Sequence, residues 1–271
     1  MGQIGAGAAL LLAAAAATAQ SEPAASAADT VRYPYVAALS RSSDGERVYF
    51  CAGVLVAPRW ILTAAHCFFT PGGGRIGSAG VAAEVGAARL RDVPIEAQVR
   101  VARIVIHPDY DPQSQDNDVA LVQLAEEAGP LVASVATAPD EPEQATVLGF
   151  GSFYEGRLAA NALSAGGTPT AQLSDRLRQA AVHLVAPAAC AAEFGAAGGA
   201  GGAYRICAGA GPEATCVGDS GAPLIVEGAD RTDRVAGIVS LGSGCAAARP
   251  VTIYTRVSAY AGWIAATIGG R

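Results

Sequence analysis

The sequence predicts an all-β protein, built as a sandwich or as a pair of barrels. Short apolar runs recur along most of the chain, and turn residues separate them, with 33 Gly and 15 Pro available for that purpose. Half of the residues, 51%, are hydrophobic and only 15% are charged, which favours an ordered core over a disordered chain. The length of 271 residues suits one large unit or two small domains.

In chain order, residues 1–19 read as a secretion signal. The apolar run 8–17 is too short to span a bilayer, and Ala17-Thr18-Ala19 fits a small-x-small cleavage site. Residues 20–33 form an N-terminal segment. From Pro34 the pattern changes to strands, expected at 36–39, 48–56, 60–64, 99–106 and 119–124, then at 146–149, 179–185, 224–226, 235–240 and 253–257. A stretch rich in Pro, Glu and Ala at 125–143 reads as a linker, and 195–202 as a low-complexity loop. Helix-like apolar spacing returns at 258–268, with Ser258 as the expected N-cap.

Composition excludes several chemistries. All 18 basic residues are Arg, so a Ser-Lys dyad, a Lys-dependent phosphate loop and a Schiff-base enzyme are ruled out. The net charge of −6 offers no footprint for nucleic acid or an anionic membrane. Six Cys allow three disulfides, in fifteen possible pairings, and an even count behind a hydrophobic leader favours an oxidising compartment. No Cys-x-x-Cys spacing occurs and there are only three His, so no metal or cofactor is expected.

Three motifs carry chemistry. Gly218-Asp219-Ser220-Gly221 places a Ser between glycines, on a turn that can expose its hydroxyl. The amides of Gly218 and Ser220 can then converge on a developing oxyanion. Thr63-Ala64-Ala65-His66-Cys67 ends an apolar strand in His beside Cys. Asn117-Asp118-Val119-Ala120-Leu121 runs an acidic tip into an alternating strand. A Ser hydroxyl needs a base to take its proton, which suits His, and a carboxylate orients that base. Asp116 competes with Asp118 as the acid but reads as a solvated turn residue. His107 lies in a turn, and His183 in an alternating strand as a core or surface residue.

These motifs, in the order His, Asp, Ser, resemble those of the chymotrypsin/trypsin-like serine proteases, and the likeness extends from Tyr33 to Ile264. The resemblance implies two packed six-stranded Greek-key barrels with a short C-terminal helix. The protease domain would cover 34–270, with barrel one at about 34–125, barrel two at about 144–257 and the helix at about 258–268. It implies Ser220 as nucleophile, His66 as base, Asp118 as orienting acid, and the Gly218 and Ser220 amides as oxyanion hole. It implies the disulfides Cys51–Cys67, Cys190–Cys207 and Cys216–Cys245.

The resemblance also implies a primary pocket formed by Ala214, Thr215, Ser240, Leu241, Gly242 and Val251. Ala214 stands where trypsin-like relatives carry an Asp, so an apolar pocket that does not select Arg or Lys is expected, with small or medium side chains preferred. The expected protein is a secreted, monomeric serine endopeptidase acting on peptide or protein substrates and open to a protein inhibitor. The rival readings are a non-catalytic or latent binding protein on the same scaffold, and an esterase or amidase acting on small acyl substrates.

Three departures from the family pattern stand out. Ala222 replaces the commoner Gly, and Phe150 the frequent Trp. No Ile- or Val-Val-Gly-Gly terminus precedes Tyr33, although Asp219, its acceptor in relatives, is present. Activity without a trypsin-type activating cut is therefore expected. The amine freed after Ala19, the Arg32 side chain or a proton on Asp219 itself would neutralise that carboxylate.

Overall fold

The computed structural model describes residues 26–28, 32–43, 46–70, 72–139, 143–151, 175–194, 203–209, 219–228, 230–242 and 251–270. After the short strand β1 (Ser26–Ala27) come β2 (Val36–Ser43), β3 (Glu46–Ala57), β4 (Trp60–Thr63), β5 (Val81–Val85), β6 (Val99–Ile106) and β7 (Ala120–Leu124). Strands β2 to β7 close into an antiparallel barrel in the order β2-β3-β4-β7-β6-β5.

A connecting segment containing β8 (Ser134–Val135) leads to β9 (Gln144–Gly149), β10 (Arg178–Leu184), helix α1 (Pro187–Phe194), β11 (Arg205–Gly209), β12 (Pro223–Glu227), β13 (Asp233–Gly242) and β14 (Val251–Arg256). The order β10-β11-β14-β13-β12-β9, with β9 paired back to β10, closes a second six-stranded ring. The strands β1 and β8 are additions to that ring, on β10 and β13 respectively.

Successive side chains of a strand point to opposite faces, and where both faces are covered, as along β4, consecutive residues are all buried. In barrel one Val36, Leu39, Val54, Leu55, Ile61, Leu62, Leu121 and Leu124 are buried in a core that continues to Leu148, Phe150, Ile225 and Ile238 of barrel two. A second cluster fills barrel two around Val147, Val182, Leu224, Val226 and Tyr254. Each such side chain contributes about 1.5–3 kcal/mol on burial. The shared core, not a chain linker, therefore fixes one barrel against the other. The linker itself docks on barrel one through Ala133 N–H, which donates to Leu55 O at 2.9 Å.

Several elements depart from the sequence expectation. The strands β1, β5, β8 and β11 and helix α1 lie outside every expected strand and helix, β1 falling in the expected N-terminal segment and β8 in the expected linker. Ser258 is not an N-cap: it lies inside a 3-10 turn, Val257–Tyr260, and helix α2 (Ala261–Gly269) begins only after Tyr260. Val257 and Tyr260 are both buried. A three-residue repeat puts them on one side of a 3-10 turn, and this burial sets the tighter winding. No helix of the described residues is long and apolar enough to cross a membrane. The residues of the expected leader, the 195–202 loop and the Cys216–Cys245 pair lie outside the described residues.

Candidate active site

The site is built around two neighbouring residues of β3. Cys51 is joined to Cys67 in a disulfide, which holds the turn that follows β4 and carries His66. The next residue, Ala52, donates its N–H to Ser220 O at 2.8 Å, and its carbonyl accepts from Thr63 Oγ1 at 2.7 Å. The strand thus holds the His turn on one side and the Ser turn on the other.

The Ser turn closes on itself through Ala222 N–H to Asp219 O at 2.8 Å, and Gly221 N–H donates to Val239 O at 3.0 Å. Gly221 has φ +78°, and a Cβ there would overlap Thr63 Oγ1 and Ala52 O. Only glycine permits both the left-handed backbone and this approach between barrels. Asp219 is completely buried and Ser220 half-buried.

His66 and Asp118 are in direct contact. Asp118 Oδ1 accepts the His66 backbone N–H at 2.8 Å, and Oδ2 lies 2.7 Å from His66 Nδ1. Ser240 Oγ donates to Asp118 Oδ2 at 2.5 Å, and Thr255 Oγ1 donates to Asp118 O at 2.7 Å. Asp118 is only 1% exposed, and a buried carboxylate is tolerable only with such partners. Burial alone pulls the His66 pKa down, but the charge of Asp118 and its hydrogen bond outweigh this and hold it above the ordinary value.

Ser240 was expected only as pocket wall. It is the extra residue of a bulge where β13 pairs with β14, between the partners Val239↔Tyr254 and Leu241↔Ile253. A bulge re-aims its side chain, and here it turns the hydroxyl onto Asp118. No local sequence signal carries either this contact or that of Thr255. Of the other pocket residues, Leu241 and Val251 pack against the cluster of Cys190, Cys207 and Ile253, where Cys190 and Cys207 form a disulfide. Gly242 ends β13, while Ala214, Thr215 and Gly218 lie outside the described residues.

Asp219 Oδ1 accepts the Gly151 N–H at 2.9 Å, and a Cβ on Gly149 or Gly151 would overlap its carboxylate. Phe150 is fully buried between these glycines and meets the Tyr49 ring at 5.8 Å. Burial and the charge of Asp219 push the Tyr49 phenol up, so that it stays neutral. Arg32 is engaged elsewhere: it bonds Glu227 and Asp233 at 3.1 Å each, which removes it as the cation for Asp219. Ala222 is buried, and its methyl lies at ordinary contact distance, 3.4 Å, from where a Cβ of Gly149 would be.

The remaining histidines take no part. His183 is exposed on β10. His107 begins a turn and meets Tyr260 and Trp263 edge-on at 5.1 and 5.0 Å, and burial lowers its pKa. Asp116 is an exposed turn residue, but it pairs with Arg205 at 2.8 Å. Cys51, His66 and Cys67 cluster closely enough to suggest a metal site, yet their sulfurs form a disulfide and offer no thiolate.

The family model described as Trypsin matches residues 24–264. Porcine (Sus scrofa) coagulation factor XII is 34% identical over 253 residues, covering 86% of this chain and 37% of that protein. The mite protein Trypsin Blo t 3 of Blomia tropicalis is 31% identical over 242 residues, covering 85% and 80%. Serine protease Hayan of Drosophila melanogaster is 31% identical over 249 residues, covering 86% and 36%. The chain therefore spans little more than a third of factor XII and of Hayan, but most of the mite protein.

Proposed function

Because the chain belongs to the trypsin family of serine proteases, we propose that it is a secreted endopeptidase that cleaves peptide bonds through an acyl-enzyme on Ser220. One observation carries this reading: His66 Nδ1 faces the buried Asp118 carboxylate at 2.7 Å. A carboxylate only accepts, so Nδ1 carries the proton and Nε2 is left basic.

As Ser220 Oγ bonds to the scissile carbonyl carbon, its proton passes to His66 Nε2. The amides of Gly218 and Ser220 stabilise the oxyanion. The adduct collapses, the C–N bond breaks, and His66 returns the proton to the departing amine. Water then repeats the sequence against the acyl-enzyme, releasing the acid and restoring Ser220. The substrates are peptides or proteins.

Ala214 six residues before Ser220 supports an apolar primary pocket. An Arg side chain there would lose its hydration without an ion-pair partner. Residues 1–19 serve as the cleaved leader, and 34–270 form the protease domain.

The test is to label the purified protein with a fluorophosphonate, map the adduct by mass spectrometry, and profile cleavage on a peptide library. Labelling at Ser220 that is abolished in Ser220→Ala is expected, with cleavage after small or medium apolar residues. Labelling that survives Ser220→Ala overturns the mechanism, and dominant cleavage after Arg or Lys overturns the pocket.

A further inference from the structure

Asp118 is carried at the end of a loop that borders a partly open cavity. This cavity, of about 420 Å³, is lined by Asp118 and by Asp109, Gln115, Asp116, Tyr204 and Arg205, among others. The loop is also strained: Gln115 and Asn117, on either side of Asp116, both have φ 54°, a left-handed conformation that costs a residue with a side chain. Such a backbone persists only when its surroundings over-determine it.

Arg205 supplies that restraint from the other barrel. Its Nη2 donates to Ser114 O at 3.1 Å and to Asp116 Oδ1 at 2.8 Å, one contact on each side of Gln115. The Arg205 side chain is only 9% exposed, against 59% for Asp116, so the guanidinium is held by β11 while the loop reaches back to it. Within the loop Ser114 Oγ donates to Asp111 Oδ2 and Asp116 Oδ2, and Tyr260 OH donates to Asn117 Oδ1 at 3.0 Å. Among these contacts on the loop, the Arg205–Asp116 bond is the one in which donor and acceptor are both charged.

We propose that Arg205 is a positioning residue for catalysis. By clamping Ser114 and Asp116 it fixes the loop that aims Asp118 at His66, and it acts on the rate of the chemical step and not on substrate binding. This rests on the reading of His66, Asp118 and Ser220 as the catalytic set.

The test compares wild type with Arg205→Met, Arg205→Lys, Asp116→Asn and the double variant Arg205→Met/Asp116→Asn. Active sites are titrated with a fluorophosphonate, and kcat and KM are measured on a chromogenic peptide. The low-field proton resonance of His66 Nδ1–H is recorded in parallel. Arg205→Met is expected to lower kcat per titrated site about tenfold while KM stays within about twofold, because a small misplacement of a catalytic group acts on turnover. Arg205→Lys restores most of the loss. Asp116→Asn has a smaller effect, and the double variant matches Arg205→Met, since both partners work through one contact. The Nδ1–H resonance shifts or broadens in Arg205→Met and recovers in Arg205→Lys.

Unchanged kcat and an unchanged resonance in Arg205→Met overturn the proposal, whatever the melting temperature does. So does a change confined to KM. A wild type that takes no label would sink the protease reading instead, and the resonance would still decide whether Arg205 aims Asp118.

Discussion

Asp118, which contacts His66, and Asp219, which precedes Ser220 in the chain, are both buried, and the protein accommodates them in opposite ways. Asp118 is cross-linked: its carboxylate takes bonds from His66 in barrel one and Ser240 in barrel two. Asp219 is enclosed: Gly149 and Gly151 leave room for its carboxylate, and the Gly151 amide donates to it. The first is fixed by hydrogen bonds between side chains and a turn, the second by the shape of a backbone. Changing Asp118 should therefore alter chemistry and leave shape alone, whereas changing the surroundings of Asp219 should alter shape first.

The largest expected effect is that of Asp118→Asn. The amide presents a donor where His66 needs an acceptor, and turnover falls by about four orders of magnitude, the loss associated with this substitution in the family's triad. The pH profile gives a second measure. His66 must be neutral to act as base, so activity declines as pH falls through its raised pKa. Removing the Asp118 charge removes the influence that raises it, and the acidic limb of the residual activity moves to lower pH. A limb that stays in place would show that Asp118 is not what tunes His66.

Asp219→Asn comes next. Without the charge that draws in the Gly151 amide, the turn before Ser220 loses definition, and turnover drops by about a hundredfold, as when an oxyanion donor is misplaced. Slower fluorophosphonate labelling would accompany the loss. Undiminished activity would mean that enclosure alone suffices.

Gly151→Ala gives the smallest effect and the sharpest distinction. Its methyl would enter the space of the Asp219 carboxylate, so urea denaturation should reveal a loss of about 1–3 kcal/mol from overpacking. Unchanged stability would remove the case for a backbone cradle.

The sequence revealed what is written in local patterns. The strand Val99–Ile106 is read to the residue because its run of Val and Ile has strong β propensity of its own. By contrast β5, Val-Ala-Ala-Glu-Val, has little β propensity of its own and becomes a strand because β2 and β6 pair with it on both sides. The two-residue strands β1 and β8 are too short for any periodicity. His66, Asp118 and Ser220 stand out because each lies within a short motif. Ser240 and Thr255 do not, because they reach Asp118 from 122 and 137 residues away, and only the closure of barrel two brings them there. Arg205 and Asp116, 89 residues apart, were equally invisible as a pair.

The hold of β3 on both turns also bears on the order in which the molecule comes together. The Ala52–Ser220 bond joins residues that are far apart in the chain, so it forms only after each barrel exists and the two have docked. Competence is then the last property acquired on folding and among the first lost when the barrels part. Hydrogen exchange at the Ala52 amide reports that parting directly, since its protection comes from the neighbouring barrel and not from its own sheet.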